Sequence, residues 1–283
     1  MRLSTCGALA LAAALPLPLP TTAAPLPRLM STNICADVLA LSIADPAQIV
    51  SLSRHSQDDQ RFSLAAKARQ FPANEATAED VVHLKPDLVL ASRRWNARHQ
   101  QALLKRQGVR IVTVPFPTDW EGIDASTLQM GQAMGREAAA QQLLADTRAR
   151  RARLQARPRP FNALYLRPNG GSAGVRTHVD AVLKAAGLRN HATALGLAGW
   201  GRVDLERILH NPPDVFITPG LVNDLAYARS GLSRHPQMKA LLERIPVVAL
   251  QQNDWGCSNW QLIEAAEAVA AQVDALKFSE QRP

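Results

Sequence analysis

Cysteine is nearly absent from this 283-residue chain. Of its three, Cys6 lies close to the N-terminus, and only Cys35 and Cys257 remain beyond residue 24. Two cysteines are too few for a disulfide framework or a structural zinc set. They are read as free buried thiols, with pairing left open. The seven histidines (His55, His83, His99, His178, His191, His210 and His235) never fall into His-x-His or His-Glu-x-x-His spacing, so no bare transition-metal site is announced. The first strand–helix junction lacks Gly-x-Gly-x-x-Gly, which argues against a dinucleotide cofactor. No aromatic–basic motif for stacking on bases accompanies the formal charge of +8, so nucleic acid is not an expected partner. That charge, carried mostly by arginine, instead suits a basic cleft for an anionic ligand or plain surface charge. The expectation is a protein with no cofactor and no resident metal.

Long apolar runs are missing too, except at the start. Met1-Arg2 is basic, Leu3 to Leu19 is apolar and rich in Pro and Ala, and Thr21-Thr-Ala-Ala24 supplies small residues. Residues 1–24 therefore read as a secretory signal peptide, too short and too Pro-broken to span a bilayer. Leu3-Ser-Thr-Cys6-Gly7 has the letters of a lipoprotein box, but Cys6 precedes the apolar stretch, and we read it as a chance match.

What the chain does have is a segment stated twice. Thr77-Ala-Glu79-Asp80-Val-Val-His83-Leu-Lys-Pro86-Asp87-Leu-Val-Leu90 recurs in register as Asp204-Leu-Glu206-Arg-Ile-Leu-His210-Asn-Pro-Pro213-Asp214-Val-Phe-Ile217. Thr77 or Asp204 can cap a short helix, the Pro ends it, and an apolar run follows as a buried strand. A duplicated helix–Pro–strand unit predicts two related α/β lobes, and clefts between lobes bind small molecules.

The expected architecture is α/β, with two similar lobes of small, mostly parallel sheets joined by one long helix. The first lobe covers residues 25–120, with strands over 28–32, 48–53, 87–91 and 110–114 and helices over 35–43, 77–84 and 93–107. A polar loop is expected over 54–59. Residues 123–156 contain no Pro and little β-branching, and predict a rod of roughly 50 Å within a connecting helix at 121–157. The second lobe, 158–283, should contain strands at 161–167, 214–218 and 247–250. Its helices fall at 177–186, 204–210, 232–243 and 260–276, with a Gly-rich loop at 169–174.

That loop matches Gly-x-Ser-x-Gly, so a secreted serine hydrolase through Ser172 is the alternative reading. Several residues separate Ser172 from the flanking strand and helix, and no oxyanion motif lies upstream, so it ranks second. Trp95, Trp120, Trp200 and Trp255 all fall at predicted strand ends or in the adjoining loops, where tryptophans suit a wide, flat-walled pocket. Arg54, Arg94 and Arg167 share such loops and could face anionic groups. With Asn33, Ser92, Phe116 and Asp254 they complete the candidate ligand-binding set. Glu79 and Glu206, at matched repeat positions near helix N-termini, could form two symmetric acidic knobs for a two-fold partner.

Ser31-Thr-Asn33-Ile-Cys-Ala-Asp37 and the two Pro-Asp segments resemble the iron-siderophore and cobalamin binding proteins of ABC importers, over about residues 28–276. The resemblance implies two lobes joined by one long helix, a ligand in the cleft, and one Glu per lobe, here Glu79 and Glu206, docked onto a permease dimer. Trp200 stands where the cobalamin-binding member has a ligand-contacting Trp, and Asn253-Asp254-Trp255 resembles its late-loop Asp-Trp pair. Ser92 departs from it, standing where that protein has another ligand-facing Trp, with Trp95 three residues on. The expected function is capture of a metal chelate (ferric siderophore, haem or cobalamin) by a non-enzymatic, monomeric periplasmic receptor that delivers it to an inner-membrane ABC permease.

Overall fold

A computed structural model describes residues 25–59, 62–98, 101–218, 231–250 and 254–276. The first lobe runs β1 (Leu29–Ser31), α1 (Ile34–Ile43), β2 (Ile49–Ser53), α2 (Arg54–Asp58), α3 (Ala65–Ala68), β3 (Ala73–Asn74), α4 (Ala78–Leu84), β4 (Leu88–Ala91), α5 (Arg93–Arg98), α6 (Gln101–Arg106) and β5 (Arg110–Thr113). Its strands form one parallel sheet in the order β3-β2-β1-β4-β5. Short, continuously apolar strands such as Leu88-Val-Leu-Ala91, buried along their whole length, are what a sheet covered on both faces requires. The strand order reverses between β1 and β4. In open α/β sheets ligands bind beyond the C-terminal ends of the strands at such a reversal, and here those ends lead into Asn33 and Ser92.

Helices α7 (Trp120–Met134) and α8 (Glu137–Gln155) come next. They correct the expected 34-residue rod. Gly135 ends α7 in the left-handed conformation (φ 67°), and the chain turns back on itself. Asp124 on α7 thereby meets Arg148 at 2.8 Å and Arg151 at 3.7 Å on α8, which only an antiparallel hairpin allows. The long helix joining the lobes is α8 alone, with 19 residues and a length of about 28 Å. It packs on α1 in the first lobe and on α9 and α14 in the second.

The second lobe runs β6 (Asn162–Tyr165), β7 (Gly171–Ala173), α9 (His178–Ala185), β8 (Arg189–Asn190), α10 (His191–Ala194), β9 (Trp200–Arg202), α11 (Leu205–His210), β10 (Val215–Thr218), α12 (Gly231–Arg234), α13 (Pro236–Arg244), β11 (Val247–Ala249), a 3-10 turn at Asp254–Gly256 and α14 (Leu262–Ala275). Its parallel sheet has the order β11-β10-β6-β8, reversing between β6 and β10, so Tyr165 and Arg167 stand at the second reversal. The Gly-rich loop expected at 169–174 contains strand β7, paired antiparallel with β9. The glycines permit it: a Cβ on Gly174 would come within 1.8 Å of the Leu197 carbonyl oxygen.

Three smaller expectations also change. The polar loop at 54–59 contains the helix α2, residues 93–107 form two helices rather than one, and residues 232–243 fall in α12 and α13. The lobes share one continuous apolar core that includes Leu29, Leu39, Leu88, Tyr165, Val182, Ile217 and Val269. Arg150 with Glu267 (2.9 and 2.5 Å) and Arg159 with Asp274 (2.6 and 2.5 Å) fasten the helical strut and its exit to α14 through bidentate pairs.

Candidate ligand-binding site

Six side chains meet where the two lobes face each other. Tyr165 closes β6 and is buried, with the Trp255 ring stacked on it at 5.6 Å and 13° between planes. The Trp200 ring, at the start of β9, stands nearly perpendicular to the Tyr165 ring with centroids 6.1 Å apart. The β7–β9 ribbon carries Trp200 there, since Ala173 pairs directly with it. Arg167, two residues beyond β6, donates from Nε to the Tyr165 hydroxyl at 3.1 Å and lays its guanidinium 4.7 Å from the Trp200 ring centre.

His178, the first residue of α9, forms the floor. Thr177 caps that helix by accepting from the Asp180 amide, and donates its own hydroxyl to the Gly174 carbonyl. The His178 ring lies 5.5 Å from Trp200 and 5.3 Å from Phe116, which comes from the first lobe just after β5. Its Nε2 donates to the Trp255 carbonyl at 3.0 Å. Burial depresses the imidazole pKa; the Trp255 carbonyl opposes that shift and the Arg167 cation adds to it. His178 is therefore neutral at neutral pH.

Two rings at this junction face outward. Phe116 is 48 % exposed and Trp200 46 %, both large apolar surfaces left open, one from each lobe. With the Arg167 cation beside them, the arrangement can clasp a flat, conjugated ligand and pair with a negative group at its edge. Among the described residues no group of three or more His, Cys, Asp or Glu could hold a bare metal ion.

The structure thus gathers four of the sequence candidates, Phe116, Arg167, Trp200 and Trp255, around Tyr165 and His178, neither of which the sequence singled out. His178 has one local signal, its place at a capped helix start just after a Gly-rich segment. Asp254 opens the 3-10 turn that carries Trp255. Asn33 caps α1 through Oδ1, and its buried Nδ2 has no partner among the described residues. Trp120 donates from Nε1 to the Ala181 carbonyl at 3.0 Å, so it ties the start of α7 to α9 across the lobes. Ser92 accepts from the Trp95 amide, and Arg94 is exposed on α5. Arg54 pairs with Glu75 at the surface.

Three expectations are corrected. Trp95 does not face the cleft: it is buried among Met30, Val81, Val89 and Leu104, with its indole N–H on the Ala76 carbonyl at 2.6 Å. Ser172 is no exposed nucleophile; it is fully buried in β7 and donates its hydroxyl to the Tyr165 carbonyl at 2.6 Å. Cys35 and Cys257 are not free thiols but a disulfide with Cα atoms 5.3 Å apart, across 222 residues of sequence. Only the docking of the two lobes brings them together.

The family described as periplasmic binding protein matches residues 31–224. No curated protein matches the chain. Among solved structures, the periplasmic haem-binding protein HutB of Vibrio cholerae aligns with TM-score 0.68 at 18 % identity, covering 87 % of this chain and 98 % of that one. A periplasmic haem-binding protein of Pseudomonas aeruginosa aligns at 0.63 and 21 %, covering 87 % and 92 %. The vitamin B12 binding protein BtuF of Vibrio cholerae aligns at 0.61 and 19 %, covering 89 % and 98 %. At these identities the likeness is one of fold.

Proposed function

Since the chain belongs to the periplasmic binding protein family, we propose that it captures a metal chelate between its lobes and delivers it to an inner-membrane ABC permease dimer. The observation that carries this reading is the pair of open rings, Phe116 and Trp200, each packed against His178, with Arg167 over Trp200. Flat apolar walls favour a ligand with a broad conjugated face. The fixed guanidinium favours one with peripheral carboxylates or another negative edge, which haem and the ferric siderophores supply more readily than a corrinoid. The binding activities named for the solved relatives fall in the same chelate class.

Residues 1–24 serve as the export signal, and a disulfide suits an oxidising compartment such as the periplasm. Glu79 and Glu206, exposed in the first turns of α4 and α11, are the permease-docking acids. The receptor acts as a monomer and not as an enzyme. The test is a tryptophan-fluorescence titration of purified protein with haemin, cyanocobalamin and a panel of ferric siderophores. One chelate class should quench at sub-micromolar concentration, and silence across the whole panel would overturn the reading.

A further inference from the structure

The Cys35–Cys257 disulfide joins the two lobes at one edge of the site. Cys35 lies in the first turn of α1, just after the reversal point of the first sheet, while Cys257 lies two residues beyond Trp255. The next residue, Ser258, donates its hydroxyl to the Pro117 carbonyl at 2.5 Å, beside Phe116 in the first lobe. The Trp255 segment is thus anchored to the opposite lobe at two successive residues. That segment supplies the ring stacked on Tyr165 and the carbonyl that receives the His178 Nε2 proton.

We propose that the disulfide is a positioning element of the site, holding Trp255 against Tyr165 and His178, and that its reduction loosens the binding face and weakens cargo capture. The last clause rests on the receptor reading given above; the anchoring of Trp255 does not. Cys35 is half-buried and Cys257 buried, so Cys35 Sγ is the sulfur that solvent-borne thiols reach. The reductant required is a dithiol. One of its thiolates attacks Cys35 Sγ, forming a mixed disulfide and expelling the Cys257 thiolate, which takes up a proton. The second thiol of the reductant then attacks the mixed disulfide, closes its own disulfide and releases Cys35, which takes up the second proton. Two electrons and two protons pass from dithiol to protein, and an oxidant of the disulfide class reverses the exchange.

The experiment compares oxidised protein, protein reduced by a dithiol and alkylated with iodoacetamide, and the double variant Cys35→Ser with Cys257→Ser. Far-UV circular dichroism establishes that each is folded. Amide exchange across residues 254–258 should quicken at least tenfold on reduction while the centre of α14 keeps its protection. The near-UV signal of the Tyr165–Trp255 stack should fall, and reoxidation of the unalkylated reduced protein should restore it. Whichever of haemin, cyanocobalamin and the siderophores binds the oxidised form should bind the reduced form at least tenfold more weakly. Unchanged exchange and an unchanged near-UV signal in folded, reduced protein would overturn the proposal, and so would a loosened segment with unaltered affinity. If no chelate binds the oxidised form, the receptor reading fails, while exchange and the near-UV signal still decide whether the disulfide anchors Trp255.

Discussion

The two lobes use the same joint and furnish it differently. In each, the repeated Pro is buried and the Asp after it accepts the backbone amide at the entry of the neighbouring central strand: Asp87 from Arg28 at 2.8 Å, Asp214 from Asn162 at 2.7 Å. That bond seats β1 beside β4 and β6 beside β10, so the duplicated segment sets the N-terminal edge of both sheets. At the opposite edge the likeness ends. The second lobe brings Tyr165, Arg167, His178, Trp200 and Trp255 to the cleft, while the first contributes Phe116 and turns Trp95 inward. A frame that fixes strand entry leaves the loops after the strands free to diverge, and those loops line the cleft.

The sharpest way to break the comparison is at the positions where the lobes still match. Glu79→Ala with Glu206→Ala should abolish chelate uptake in cells while leaving the affinity of the purified protein unchanged, because both carboxylates are exposed and neither touches the site cluster. Uptake at the parental rate would show that the outward symmetry of the repeat has no docking role.

A smaller effect separates two tryptophans that look alike in sequence. Trp95→Ala removes a core ring and should cost about 3–5 kcal/mol in urea-unfolding free energy. Trp200→Ala removes a half-exposed ring and should cost under about 1 kcal/mol in stability, while weakening chelate binding at least tenfold. Phe116→Ala should weaken binding only a few-fold, since the first lobe offers the ligand one ring. Equal losses from Phe116 and Trp200 would mean that the lobes share the ligand evenly.

Much of the frame is legible in the sequence, because it rests on local rules. Buried parallel strands read as apolar runs, Thr77 with Asp80 forms a reciprocal capping box, and Pro ends the helix before each repeat strand. What stays hidden depends on partners distant in sequence. Gly135 folds α7 back on α8 within a stretch that reads as one helix. The β7–β9 ribbon reads as a flexible loop until Gly174 finds the backbone of Leu197. Trp95 and Trp200 both read as loop tryptophans in the sequence, and only the Ala76 carbonyl with the apolar neighbours around it decides that one turns inward. His178 gains its meaning from Phe116, Trp200 and Trp255, which lie far from it along the chain.

The smallest expected effect concerns a buried carboxyl that the second lobe handles differently. Asp180 on α9 has Lys184 at 2.8 Å and the Asn190 amide at 3.0 Å. Asp37 on α1 is met by the Ser31 and Ser53 hydroxyls and the Ser53 amide, all of them neutral donors. Burial outweighs those hydrogen bonds and raises the Asp37 pKa from 3.8 to about 6. The folded state therefore holds this proton more tightly than the unfolded chain does. The stability it contributes is fully present below pH 3.8 and is lost as pH rises through about 6. Between pH 7 and pH 5 the term amounts to about 1 kcal/mol in favour of the folded state at the lower pH. His178 acts in the opposite sense over the same window, because its depressed pKa makes the folded state resist protonation. The two contributions mask each other in the parent protein, so the informative quantity is a difference. Asn in place of Asp37 can still accept from the Ser53 amide, and the Ser53 hydroxyl can turn to accept from its Nδ2. Asp37→Asn should accordingly remain folded, and the parent-minus-variant unfolding free energy should rise by about 1 kcal/mol from pH 7 to pH 5. A flat difference would mean that the hydroxyls of Ser31 and Ser53 compensate the Asp37 charge in full.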